Sequence, residues 1–275
     1  MNGDIPILRT NPCQDAIAAR RAVRAAEKGA EPLPVETHQD AEPLSTPPPP
    51  ESDVLKALRV ICIPDCVYEL RMLHTSKGTI SGYFDAEHLA AMASWAQKAS
   101  GKVEAVYMTL NPCRPDLLAR AANRLMEYAR HTTEDSEVVR RRWLPLDFDP
   151  VRPAGISSTD EEHEAALLRA RAAREWMLDT FGVLGLLADS GNGAHLLYRV
   201  DMPNDAESLA KAKKFIETVY TKFNDGRVQV DRKVINSGRI WKVYGTLARK
   251  GDEVLGRKHR LAKILEQDDG KIFSI

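Results

Sequence analysis

The sequence predicts an α+β chain, on three observations. Strand-like and helix-like segments follow one another in the order β-α-β-β-α-β between Trp143 and Lys233. The two central strands are separated by Gly191-Asn192-Gly193, a strong hairpin signal. Both helical segments carry helix-start residues, Thr159 with Glu162 three positions on, and Asn204-Asp205. This order fits a four-stranded antiparallel sheet with two helices on one face, the RRM-like or ferredoxin-like plan. In that plan the first strand lies between the third and the fourth.

Taken from the start, residues 1–52 hold nine of the sixteen prolines and end in PLSTPPPPES. They predict a disordered Pro-rich arm or linker, with one short Ala/Arg-rich helical candidate over Gln14 to Lys28. Residues 53–140 read as an N-terminal α/β module. VYELRMLHTSKGTISGYFD alternates about a Gly-containing turn, which predicts a hairpin, and Asp85 caps a helix that Gly101 closes. A strand, VEAVYMTL, and a helix from about Pro115 to Tyr128 follow. Residues 141–275 hold the β-α-β-β-α-β run and a basic C-terminal segment. Its first helix places Leu167, Leu168, Ala172, Trp176 and Phe181 for a buried stripe.

A chain of 275 residues can bury a sizeable core, and 43% hydrophobic with 28% charged residues is an ordinary soluble composition. No tract of about 18 apolar residues could span a bilayer, so no membrane partner is expected. The start, MNGDIPILRTNPCQD, lacks a secretion signal. Cys13, Cys62, Cys66 and Cys113 are too scattered for a disulfide framework, which predicts reduced thiols in a cytoplasmic protein. Cys62 and Cys66 lack a second Cys/His pair, so no zinc is expected. Lys+Arg and Asp+Glu balance at 39 each, but residues 227–263 carry eleven Lys/Arg against three Asp/Glu. That block is either a solvated basic face or the place where a phosphate-rich ligand is held.

The chemistry begins at RRRWLPLDFDP. Strand alternation puts Asp147 and Asp149 on one face and Phe148 on the other. In RVQVD the same rule separates Asp231 from Val228 and Val230. Alone, the Asp147/Asp149 pair is a solvated strand end as readily as a metal cradle. With Asp231 on the neighbouring strand, the three carboxylates make an all-oxygen site suited to Mg²⁺ or Mn²⁺. His195 follows Ser190-Gly191-Asn192-Gly193, a loop whose amides could hold phosphate. A single histidine there is otherwise a satisfied structural residue. Arg239 and Lys242 in NSGRIWKVYGT are cations suited to phosphate, or else a basic surface turn.

WLPLDFDPVRP, DSGNGAHLLYRVD and RVQVDRKVINSGRIWKVYGT together resemble, in order, the hhhDhD, sxH and hD motifs of the archaeo-eukaryotic primase superfamily. The likeness is greatest to the primase-polymerase catalytic domains of plasmids, phages and mobile elements. It covers roughly residues 55–265 and includes VYMTLNPCRPDLLARAANRL and GISSTDEEHEAA. The resemblance implies a DNA primase or polymerase acting on a single-stranded DNA template with dNTPs or NTPs. It implies two catalytic metal ions on Asp147, Asp149 and Asp231. It also implies triphosphate contact by His195 beside Ser190, Gly191 and Asn192, and phosphate binding by Arg239 and Lys242. Relatives of this kind often continue into a helicase; no GxxxxGK[ST] loop occurs here, so the chain is read either as a stand-alone synthase or as a fragment whose replicative helicase is a separate chain. The alternatives are a metal-dependent nuclease on a similar carboxylate site, and a non-catalytic RRM-like protein binding single-stranded nucleic acid. Binders of that kind usually present stacking aromatics on the sheet, where this sequence presents carboxylates.

Overall fold

Helix α1 (Asp53–Ile61) begins where Ser52 accepts a hydrogen bond from the Leu55 amide at 3.2 Å. The structure, a computed structural model, describes residues 51–275. The expected Pro-rich arm and its helical candidate therefore lie outside the described residues, save for positions 51 and 52. Although the sequence reading has no helix at 53–61, Val54, Ala57, Leu58 and Ile61 recur at helical spacing and are buried. Strands β1 (Tyr68–Thr75) and β2 (Gly78–Phe84) form the anticipated antiparallel hairpin. Asp85 caps the turn into α2 (Leu89–Ala99), and β3 (Val106–Thr109) pairs with β1.

The helix expected over 115–128 is replaced by a short 3₁₀ helix at Pro115–Arg120 and an extended run. That run lies along β2: the Asn123 amide donates to the Tyr83 carbonyl at 2.7 Å, and Ser81 and Met126 exchange amide bonds at 3.0 and 2.8 Å. The unpaired edge of β2 offers these backbone groups partners, and that pairing overrides the local helical pattern.

Strand β4 (Arg140–Pro150) leads to α3 (Asp160–Phe181). The anticipated capping box starts α3: the Glu162 amide donates to Thr159 Oγ1 at 3.1 Å, and the Thr159 amide to Glu162 Oε2 at 2.9 Å. Its buried stripe differs from expectation. Ala166, Leu167, Ala170, Ala173 and Met177 face inward, whereas Leu168, Ala172 and Phe181 are exposed and Trp176 is half-buried. Alanines on the inner arc let the helix lie close on β4, which the larger side chains at 168 and 181 would prevent.

Strands β5 (Leu186–Asp189) and β6 (Ala194–Pro203) form the second hairpin, and α4 (Ala206–Phe223) leads to β7 (Val228–Val230). Strand β8 (Ile240–Lys242) then pairs with β3, and β9 (Thr246–Ala248) and β10 (Arg260–Glu266) pair with each other. The result is a mixed α+β fold with two antiparallel sheets, ordered β2-β1-β3-β8 and β7-β4-β6-β5-β10-β9. The chain passes from one sheet to the other at Tyr244. The Val243 amide still bonds the Val106 carbonyl at 2.9 Å, and the Gly245 amide already bonds the Ala262 carbonyl at 2.6 Å.

Strand β4 lies between β6 and β7, with Asp147 opposite His195 and Asp149 opposite Gln229. Large core residues, Leu146, Phe148 and Leu196 among them, share the face of this sheet opposite Asp147 and His195, with no exposure. Cys62, Cys66 and Cys113 are unpaired thiols. Among the described residues, no helix is long and apolar enough to cross a membrane.

Candidate active site

A cleft of about 170 Å³ opens over the end of β4. Asp147, Asp149 and Asp231 line it from one side, and His195, Ser190 and Asn192 from another. Arg239 and Lys242 close it. Eight of the nine residues singled out in the sequence thus meet in one cavity; Gly191 does not line it.

The carboxylates come together through backbone pairing. Phe148 is fully buried in the core, so Asp147 and Asp149 on either side of it face the cleft. The Asp231 amide donates to the Asp147 carbonyl at 2.9 Å, which brings the end of β7 beside β4. Burial pushes the Asp147 carboxyl well above the usual carboxylate range; Asp149 and Asp231 push it further, while Lys242 opposes them. Asp147 Oδ1 is buried without a hydrogen-bond partner. Asp149 lies 3.6 Å from the Arg152 guanidinium, and Asp231 Oδ1 accepts the Lys233 amide at 2.8 Å.

An orphaned carboxylate oxygen beside a second carboxylate is a donor set that suits a hard divalent cation. The site fits such an ion in chemistry. Among the described residues, no three Asp, Glu, His or Cys side chains are gathered tightly enough to hold one ion together.

The loop before His195 is tied internally. Asp189 Oδ1 accepts the Gly191 amide at 2.6 Å and faces His163 Nε2 at 2.9 Å. Ser190 and Gly193 bond through amide to carbonyl and amide to Oγ, both at 3.0 Å. The amides of 190, 191 and 193 are therefore engaged within the protein. Asn192 uses its side chain to pin the loop, accepting from the Ser158 amide at 3.0 Å and donating to the Lys250 carbonyl at 2.9 Å. Lys242 Nζ donates to the Ser190 carbonyl at 2.6 Å, so the cation is held against the loop. Burial draws the Lys242 ammonium below its ordinary pKa, with Asp147 and Asp149 acting to restore it. Burial, and then Lys242, draw His195 well below the usual imidazole value, leaving a neutral ring at neutral pH.

Besides the aliphatic Val234 and Ile240, four aromatic or charged lining residues escaped the sequence reading: Tyr107, Arg152, Trp241 and Lys250. Arg152 and Lys250 add two cations facing the carboxylates. Arg152 stands three positions after Asp149 and Lys250 lies in the basic block, so both had a signal. Tyr107 had none, because only the pairing of β3 with β8, which sets Tyr107 opposite Lys242, brings it to the cleft. Burial, helped by Glu104, pushes its hydroxyl up to about 12.

No family model and no curated protein matches the chain. Among solved structures, the crystal structure of primase RepB′ is similar at a TM-score of 0.45 and 11% identity. The alignment covers 80% of this chain and 58% of that one, so the chain spans less than two thirds of the primase's length.

Proposed function

We propose that the chain is a template-dependent DNA primase-polymerase, a nucleotidyltransferase that makes or extends primers on single-stranded DNA. The observation that carries this reading is the meeting of Asp147, Asp149 and Asp231 with His195, Arg239 and Lys242 in one cleft. The three motifs that resemble the primase superfamily supply those residues from separate parts of the sequence. The pairing of β4 with both β6 and β7 supports the RRM-like form of the catalytic sheet. In this reading residues 53–140 and 141–275 are the two modules of the catalytic domain, with β8 returning to the first.

Asp147, Asp149 and Asp231 would hold two Mg²⁺ or Mn²⁺ ions, which supply charge neutralisation at the α-phosphate and activation of the attacking hydroxyl. Lys242, Arg239 and Arg152 bind the triphosphate by charge. His195, neutral and fixed, contacts it from the β6 side. The 3′-hydroxyl oxygen of the growing strand loses its proton to solvent and forms a bond to the α-phosphorus, while the bond from that phosphorus to the bridging β-phosphate oxygen breaks, releasing pyrophosphate. Orientation of the nucleotide by these side chains lowers the barrier before any bond changes.

Primer extension on a single-stranded template, with dNTPs and NTPs compared in Mg²⁺ and Mn²⁺, tests the proposal. The expected result is incorporation by the wild type and none by Asp147→Ala/Asp149→Ala, with both proteins folded. Undiminished synthesis by the double variant overturns the assignment, and template breakdown without incorporation favours a nuclease.

A further inference from the structure

His195 is not held by the carboxylates it faces but from behind. Its Nδ1 lies 3.0 Å from the Tyr244 hydroxyl, and the same hydroxyl lies 2.9 Å from Trp241 Nε1. The Trp241 ring packs on the imidazole with centroids 4.1 Å apart. All three residues are buried, and the Tyr244 hydroxyl has no other hydrogen-bond partner among the described residues.

This small chain of bonds has one direction. An indole N–H only donates, so the Tyr244 oxygen must accept from Trp241. The hydroxyl hydrogen then has a single acceptor in reach, His195 Nδ1. Were Nδ1 protonated instead, Tyr244 would accept twice and its own hydrogen would be buried unpaired, a costly arrangement. A bare Nδ1 leaves the ring proton on Nε2. That nitrogen lies 3.7 Å from Asp147 Oδ1, beyond hydrogen-bond length, and Asp147 Oδ1 has no other partner. The N–H is thus an unused donor at the wall of the cleft.

We infer that Tyr244 and Trp241 are positioning residues that lock His195 as the Nε2–H tautomer, so that it offers a neutral hydrogen-bond donor to an anionic phosphate oxygen in the cleft. That this oxygen belongs to a nucleotide triphosphate rests on the function proposed above; the tautomer does not. A neutral donor recognises the phosphate oxygen without adding a fifth cation to Arg152, Arg239, Lys242 and Lys250. Tyr244 itself touches no substrate.

The test is ¹⁵N-edited NMR of histidine-labelled full-length protein, with the His195 signals assigned by their loss in His195→Asn. The expected wild-type spectrum shows an unprotonated Nδ1 and a protonated Nε2. Protonated Nδ1 in the wild type overturns the inference whatever the enzyme does. In Tyr244→Phe the tautomer preference should be lost. Binding of dATP, measured by calorimetry without template, should weaken about tenfold, and in extension assays KM should rise with kcat little changed. A Tyr244→Phe protein with unchanged tautomer, or with unchanged dATP affinity, also overturns it. If the tautomer is as inferred and dATP binds, but no nucleotide is incorporated, the lock stands and the polymerase reading fails.

Discussion

Gly193 sits so close to the carbonyl of Phe148 that a methyl group on its α-carbon would lie 2.2 Å from that oxygen. The β5–β6 hairpin turn is therefore seated directly on β4, one residue from each motif aspartate. Gly193→Ala forces a methyl group against the Phe148 carbonyl oxygen, a backbone atom that cannot simply give way. The expected cost is about 1–3 kcal/mol in urea unfolding, the usual scale for an overpacked site. Because the shift displaces both His195 and the Asp147 strand, incorporation should fall more than stability does. A variant with wild-type stability and activity would refute this contact.

Asp147 shows the tension between folding and function in the same cleft. Its carboxyl titrates above the ordinary range through burial first, then through Asp149 and Asp231 against the opposing pull of Lys242. A group whose folded pKa is raised adds stability below its unfolded pKa, and that contribution is lost as pH rises through the folded value. In EDTA, wild-type Tm should accordingly fall across this window as pH increases. Asp147→Asn should flatten the profile and melt higher than wild type at neutral pH, while being inactive. Melting curves taken upward from about pH 4, close to the pKa of an ordinary carboxyl, decide it.

Metal binding should reverse the order of stability. Mn²⁺ at about 100 times its Kd stabilises a protein that binds it only when folded by about 2.7 kcal/mol. Thermal shift with and without Mn²⁺ should show that gain in the wild type and its loss in Asp147→Asn/Asp149→Asn. An equal shift in both proteins would place the ion elsewhere.

Lys242→Ala removes a cation that reaches the cleft and bonds the Ser190 carbonyl. Nucleotide KM should rise about tenfold, the equivalent of ~1.4 kcal/mol of binding, with a smaller change in kcat. An unchanged KM would remove Lys242 from the phosphate site.

Thr159→Ala breaks the capping box of α3 and should destabilise the fold by about 1 kcal/mol, measured as a lower urea midpoint at constant slope.

What could be read from the sequence was what local rules control. Alternation fixes the facing of Asp147, Asp149 and Phe148; the Thr159–Glu162 box and the 191–193 turn are chemical signals within a few residues. The misplaced helix over 115–128 and the misplaced stripe on α3 fail for the opposite reason. Distant partners decide them: the edge of β2 in one case, the close approach of β4 in the other. The same holds for the cleft. Tyr107 and Trp241 reach it through the pairing of β3 with β8, which joins segments that no spacing in the sequence relates. The engaged amides of the 190–193 loop were also hidden, because Asp189 and Ser190 satisfy two of them with side chains whose direction only the fold determines.

The passage of the chain from one sheet to the other at Tyr244 has a mechanical side. Val243 is anchored to Val106 and Gly245 to Ala262, so the two sheets are stitched together across a single residue. The Tyr244 hydroxyl meets the back of His195, so the residue at which the chain changes sheets is also the one that fixes the imidazole at the cleft wall.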